Sequence, residues 1–320
     1  MADAARVDRA LAGDGRALAR LLRDLDDGLP AARAELSALY PRTGQALIVG
    51  ITGNPGVGKS TIVDGLVTRY RARGQRVGVV AVDPSSPFSG GALLGDRIRM
   101  QRHATDDGVF IRSLATRGQT GGLSRSTIDV AAVLDAVGYP VVLIETVGVG
   151  QDEIDVMSAA DTVVVVTAPG LGDEVQALKA GILEIADILV VNKGDREGAD
   201  RALQDLTTML DLARPSRTPP VALLRAIASA GQGLDELVTA IEARRALPEE
   251  VRRERRRQQS QAQVLAIAGD LVRLAARLAL GTPQAAGPLA PLVDQVASRT
   301  TDPYSAAQAL LSAGIFGVIK

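Results

Sequence analysis

The sequence predicts an α/β fold in which a mostly parallel sheet is flanked by helices. Three observations carry this. Between Gln45 and Ala246, short apolar runs alternate with helical periodicities, the pattern of a parallel sheet covered on both faces. The first run, Leu47–Ile51, ends in Gly53-x-x-x-x-Gly58-Lys59-Ser60 and leads into a helical pattern, the strand, glycine loop and helix of a P-loop NTPase. On either side of this block, in residues 1–44 and 247–320, the periodicity is helical only. We therefore expect an N-terminal helical extension (1–44), a P-loop domain (45–246) and a C-terminal helical dimerisation segment (247–320).

In the extension, Leu18, Leu21, Leu22 and Leu25 recur at helical spacing after Asp14-Gly15 and before Gly28-Leu29-Pro30, and a second helix spans 31–39. Together they predict a small helical lid without visible chemistry. In the central block the expected strands are Leu47–Ile51, Val77–Val82, Val109–Ile111, Val141–Ile144, Thr162–Val166, Ile188–Val191 and Val221–Leu224. Helices are expected over 60–72, 124–137, 173–186, 198–211 and 234–245. Beyond it, Pro248-Glu249-Glu250 opens a long helix whose early turns hold Arg252, Arg253, Arg255, Arg256 and Arg257, read as a solvated face. Farther on, Val264, Ile267, Leu271, Leu274 and Leu278 form a heptad seam suited to pairing with a second copy. Gly281-Thr282-Pro283 stops it, and shorter helices follow near 289–298 and 303–313.

Composition bounds the chemistry. A 320-residue chain of net charge −1 argues against a general nucleic-acid binder. Cysteine is absent and His103 is the one histidine, which excludes thiolate sites and multi-histidine metal sites. The start, Met-Ala-Asp-Ala-Ala-Arg, lacks signal-peptide architecture, and no apolar run approaches the roughly 18 residues of a membrane span, so a cytoplasmic protein is expected.

Ligands of parallel sheets bind beyond the carboxyl ends of the strands, so the residues just after each apolar run matter most. At the first strand end, Gly53, Gly56 and Gly58 let the backbone of Gly53, Asn54, Pro55, Gly56, Val57 and Gly58 curl so that its N–H groups face phosphates. The helix opening at Lys59, Ser60 and Thr61 adds its positive end. Lys59 would reach the β- and γ-phosphates and Ser60 would hold Mg²⁺. Only four of the 36 basic residues are lysines, so lysine at 59 suggests a need for a compact point charge. Asp83 ends the second apolar run, and Asp96 follows in the stretch after it. Glu145 ends another run and is followed by Thr146-Val147-Gly148, a Walker-B-like arrangement in which the Gly148 N–H could sense a γ-phosphate. Directly after Ile188–Val191 comes Asn192-Lys193-Gly194-Asp195. The Asp195 carboxylate can accept both N1–H and the 2-amino group of guanine, a bidentate contact that adenine cannot return. The base is thus read as guanine. Two more glycine-rich loops, Arg117–Gly122 and Ala168–Glu174, are either simple connections or loops ordered by nucleotide. The rare Lys179 follows the second and could pair with Asp173 or a partner chain.

With these motifs in place, the chain resembles the methylmalonyl-CoA-mutase-associated GTPases, the MeaB/ArgK family. The resemblance runs through Ala81-Val82-Asp83-Pro84-Ser85-Ser86-Pro87, Gly95-Asp96-Arg97-Ile98-Arg99-Met100, Ala115-Thr116-Arg117-Gly118, Gly121-Gly122-Leu123-Ser124, Glu145-Thr146-Val147-Gly148-Val149-Gly150-Gln151 and Asp302-Pro303-Tyr304. It implies a GTPase chaperone that dimerises through C-terminal helices, gates adenosylcobalamin loading and protects methylmalonyl-CoA mutase. It also implies phosphate binding by Gly53–Thr61, Mg²⁺ surrounded by Ser60, Asp83, Asp96 and Glu145, and Arg99 at the nucleotide. Lys59, Asp96 and Glu145 are the catalytic candidates, and hydrolysis of GTP to GDP and phosphate is expected to be slow without a partner. Residues 168–179 correspond to a family switch. Registering on Gly231-Gln232-Gly233 puts Ile227-Ala228-Ser229 at the base, of which only Ala228 carries over. Gln151 is a candidate for orienting the attacking water, against a plain solvent-facing glutamine. The alternatives are a kinase linked to amino-acid transport, which the guanine motif disfavours, and a metal-insertion GTPase, which needs His or Cys sites the chain lacks.

Overall fold

The computed structural model describes residues 4–83, 101–103, 105–115, 122–146, 160–170, 186–213, 219–282 and 285–314. The chain divides into two compact units, Met1–Val251 and Arg252–Lys320.

The first unit is built on a seven-stranded, all-parallel sheet: β1 Leu47–Thr52, β2 Val77–Asp83, β3 Val109–Ala115, β4 Val141–Glu145, β5 Thr162–Thr167, β6 Ile188–Val191 and β7 Ala222–Arg225. Their spatial order is β3-β2-β4-β1-β5-β6-β7, so the strand leading into the glycine loop is central. Ile51 pairs in register with Glu145 on one side and Val164 on the other, which aligns the strand ends that carry polar residues. Strand β3 runs four residues beyond the apolar triplet Val109–Ile111, because its full register with β2 continues from Val77↔Val109 to Asp83↔Ala115. Backbone pairing holds residues there that have no apolar alternation to announce them.

Both faces of the sheet are covered, which is why its strands read as near-continuous Val/Ile/Leu runs. On one face Val49, Ile51, Val79, Leu143, Val164, Val166 and Val190 pack in a core with the P-loop helix α4 (Lys59–Ala72) and the helix at Leu234–Arg245. On the other, Val80, Val82, Val142, Ile144, Val163, Val165 and Val191 share a core with the helices at Gly122–Ala136 and Ala199–Ala213. That second core also takes in the N-terminal helices α1 (Ala4–Leu11), α2 (Gly15–Asp26) and α3 (Pro30–Leu39). Helix α2 starts where Asp14 accepts hydrogen bonds from the N–H groups of Arg16 and Ala17, and it buries Leu18, Leu21, Leu22 and Leu25. The chain enters β1 over Asp135, whose carboxylate accepts the N–H groups of Gly44, Gln45 (3.1 Å) and Ala46 (2.8 Å).

The second unit contains most of the 32-residue helix Glu249–Leu280, a two-stranded antiparallel turn (Gly281–Thr282 with Ala285–Ala286) and the helices Pro291–Ala297 and Pro303–Ser312. The expected helix over 173–186 lies largely outside the described residues. Among those residues, no helix is long and apolar enough to cross a membrane.

Candidate functional site

The site forms where β1, β4 and β6 end. Gly53 leaves β1 with φ +139°, and a Cβ there would sit 2.0 Å from the Val166 carbonyl oxygen of the neighbouring strand, so only glycine fits. Gly58 is left-handed (φ +97°) and starts α4, and a Cβ on it would strike the Asn192 amide at 2.4 Å. Val57 between them is fully buried, which pins the loop from beneath.

Lys59, the first residue of α4, is 7 % exposed, and its ammonium donates to the carbonyls of Gly53 (2.6 Å) and Asn54 (3.0 Å). A buried charge needs such oxygens, and these hold the cation inside the curl of the loop. The Ser60 hydroxyl donates to Glu145 Oε1 at 2.6 Å, with both residues more than nine-tenths buried. The β1–β4 register explains the meeting: it puts Glu145 beside Ile51, two residues before the loop begins at Gly53.

A hydroxyl and a carboxylate converging at a buried strand end are hard oxygen donors of the kind Mg²⁺ prefers, so the residues present fit that ion. Asp83 closes β2 on the same edge of the sheet, paired in register with Ala115. Asp96, Arg99 and Gly148 lie outside the described residues, as do Gln151, Gly118, Lys179 and most of the loop from Leu171 on. Among the described residues, no three acidic, histidine or cysteine side chains cluster as a metal site.

The Asn192–Asp195 turn follows β6 and touches the loop directly. Asn192 is buried; its amide donates to the Val57 carbonyl (2.8 Å), and its oxygen accepts the Ala228 N–H (3.0 Å). Lys193 has the left-handed φ of +57°, uncommon for lysine, and its ammonium donates to the Gly56 carbonyl (2.6 Å). Gly194 donates to the Ala226 carbonyl (2.9 Å), and a Cβ there would meet the Arg225 side chain at 2.5 Å. Asp195 is exposed at the end of this turn. The structure thus brings together Gly53–Ser60, Glu145, Asn192, Lys193 and Ala228, residues scattered over more than half of the sequence.

One participant is not visible in the sequence. Arg69 of α4 reaches the turn after β7 and bonds to Gly231 and Asp235. In a chain whose basic residues are mostly arginine, nothing in the local pattern distinguishes it.

A glycine loop after the central strand, a buried lysine opening the next helix and a hydroxyl–carboxylate pair define a P-loop nucleotide-binding protein. Comparison narrows the class. The family model described as "Methylmalonyl Co-A mutase-associated GTPase MeaB" matches residues 18–279. A relative from Pyrococcus horikoshii, named "Putative GTPase", is 47% identical over 312 residues, which cover 95% of this chain and 96% of that one. The mouse "Methylmalonic aciduria type A homolog, mitochondrial" is 39% identical over 193 residues, covering 59% of this chain and 46% of that one. A crystal structure of a "LAO/AO transport system kinase" shares the fold, with a TM-score of 0.72 at 24% identity, covering 97% of this chain and 96% of that one. The chain belongs to the methylmalonyl-CoA mutase-associated GTPase family, MeaB, and is a GTPase.

Proposed function

We propose that this GTPase is a nucleotide-timed chaperone: its GTP cycle gates adenosylcobalamin loading into a methylmalonyl-CoA mutase and protects that enzyme. The observation that carries the nucleotide reading is Asn192, one side chain bonded both to the phosphate loop at Val57 and to the turn holding Ala228. That side chain links the phosphate end of the site to the base end. The partner reading is supported by the family's description and by the mouse relative's name.

In this reading the loop amides and the Lys59 ammonium bind the phosphates and stabilise charge as the γ-phosphoryl group passes to water, yielding GDP and phosphate. Ser60 and Glu145, with Asp83 and Asp96, would hold Mg²⁺, which when bound neutralises charge on the phosphate oxygens. Asp195 would accept the two guanine N–H groups, the Lys193 stem would cover the base or ribose, and Ala228 would contact the base. Arg99 and the Gly148 N–H complete the nucleotide contacts. The protein acts in the cytoplasm as a homodimer through its 247–320 segment, a pairing supported by the exposure of Val264, Ile267, Leu271, Leu274 and Leu278.

Two variants test this with the purified chain and a mutase from the same source. Lys59→Ala should abolish nucleotide binding and, with it, protection of the mutase against inactivation. Asp195→Asn should weaken GDP binding while leaving ADP binding unchanged. Full protection by a Lys59→Ala protein that binds no nucleotide would overturn the timing role. Equal affinity of the wild type for GDP and ADP would overturn the guanine reading.

A further inference from the structure

The turn that carries Ala228 is gripped from two sides. On one, the Asn192–Gly194 turn holds it through Ala228 N–H to Asn192 (3.0 Å) and Gly194 N–H to the Ala226 carbonyl (2.9 Å). On the other stands Arg69, on the same helix that begins with Lys59 and Ser60. Its Nη2 donates to the Gly231 carbonyl at 2.7 Å, and its Nε and Nη2 grip the Asp235 carboxylate at 2.8 and 3.1 Å. Its Nη1 also donates to the carbonyl of Gly65, at 3.3 Å on its own helix, which steadies the guanidinium.

The approach is close by construction. A Cβ on Gly65 would lie 2.4 Å from Leu234 Cδ1, so the P-loop helix and the helix after the turn meet at a glycine. The turn itself is tight: Ile227 and Gln232 pair as an antiparallel bridge, and Gly231 (φ +71°) and Gly233 (φ +77°) are both left-handed. Asp235 is held below the ordinary carboxylate range, first by its hydrogen bond to Arg69. The exposed Asp235 carboxylate contributes little stability by itself. The Gly231 carbonyl, bonded to the same guanidinium, is where the geometry of the turn is set.

We propose that Arg69 is a positioning residue for base recognition: from the phosphate-binding helix it fixes the turn over Ala228–Gly231 against the Asn192–Asp195 turn, so that both sides of the guanine site are built to one spacing. The inference rests on the guanine reading above and extends it to a residue that touches neither base nor phosphate. Removing Arg69 would take away the hydrogen bonds that reach the turn from the α4 side, leaving the Leu234 packing at Gly65 and the bonds on the Asn192 side. Phosphate binding, which uses the loop amides and Lys59, would be left intact.

The test is isothermal titration of the full chain with GDP, ADP and pyrophosphate, for wild type, Arg69→Ala, Arg69→Lys and Asp235→Asn. Arg69→Ala should raise the Kd for GDP about tenfold, the loss of one charge-assisted hydrogen bond's worth of order. Its Kd values for ADP and pyrophosphate should stay within about twofold of wild type, compressing the GDP-over-ADP preference by the same factor. Arg69→Lys should behave like Arg69→Ala, since an ammonium cannot reproduce the forked grip on Gly231 and Asp235. Asp235→Asn, which keeps the Gly231 bond, should have the smaller effect. If GDP and pyrophosphate weaken in parallel, or if the melting temperature falls with the GDP preference unchanged, Arg69 is a structural staple and the proposal is overturned. Should Arg69→Ala not fold, Arg69→Lys decides by the same ratio. A wild type without GDP preference would sink the guanine reading itself, a result separable from any shift among the variants.

Discussion

Single residues at this site are chosen by what surrounds them at distances where one atom matters. At Gly53 the loop passes so close to β5 that a methyl group would overlap the Val166 carbonyl, and φ is also in the range that favours glycine. Gly53→Ala is therefore expected to destabilise the fold by about 2–4 kcal/mol in urea unfolding, the usual range for combined backbone strain and overpacking. It should also remove measurable GDP binding. Gly56 shows the contrast: its φ is +81°, but a Cβ would meet nothing within 4 Å, so its conformation and not its space is what an alanine would disturb. The lysines at 59 and 193 both turn their ammonium groups onto loop carbonyls. At Lys59, which is buried, a compact ammonium meets both carbonyls from one point, in keeping with lysine there in a chain that otherwise uses arginine.

Among elements, the N-terminal helices are joined by an ionic bracket. Arg6 of α1 donates in bidentate fashion to the fully buried Glu35 of α3 (2.8 Å to each oxygen) and also to Asp24 of α2 (2.5 Å). The Asp24 carboxyl is held below the ordinary carboxylate range, chiefly by Arg6 and then by Arg23. A carboxyl whose folded pKa is depressed contributes stability that is complete above the unfolded value, about pH 4, and is lost as pH falls through the folded value. Melting temperatures of wild type and Asp24→Asn measured from pH 7 down to pH 3 should therefore be separated at neutral pH and converge at the acid end. Curves that stay parallel would show that Asp24 does not carry that linkage. Strand starts use the same chemistry with backbone donors: Asp161 accepts from Ile48 and Asp187 from Val163, each at 2.9 Å, so an aspartate just before one strand secures its neighbour.

At the scale of the molecule, the sheet order decides what can be a site. Placing β1 between β4 and β5 puts the glycine loop beside Glu145, and placing β6 next to β5 brings Asn192 within reach of Val57. In the second unit, Val264, Ile267, Leu271, Leu274 and Leu278 recur at heptad spacing and are between 37% and 65% exposed. Large apolar side chains repeated along one helix face are normally covered. The double variant Leu271→Glu/Leu274→Glu should sediment and scatter light as a monomer, with nucleotide affinity retained. An unchanged mass would remove this stripe from the proposed dimer.

Much of the fold was legible from periodicity. The apolar runs became the seven strands with ends shifted by at most one residue, apart from β3, whose polar continuation Arg112-Ser113 is held by pairing and not by burial pattern. The loop, Glu145 and the Asn192 turn were legible as motifs because each needs particular residue types at strand ends. The bonds between them were not, since Asn192 and Val57 are 135 positions apart.

By itself, then, the sequence determined the local chemistry: which segments are strands, where glycine must stand, and which lysine, hydroxyl and acids follow the strands. Hydrophobic period and turn chemistry are local properties, and residue order is enough to express them. Only the tertiary structure decided the strand order, the shared core under the N-terminal helices, the double contact of Asn192 and the reach of Arg69 to Gly231. Those depend on how covered faces pack and how neighbouring strands register, which joins residues with no pattern between them along the chain.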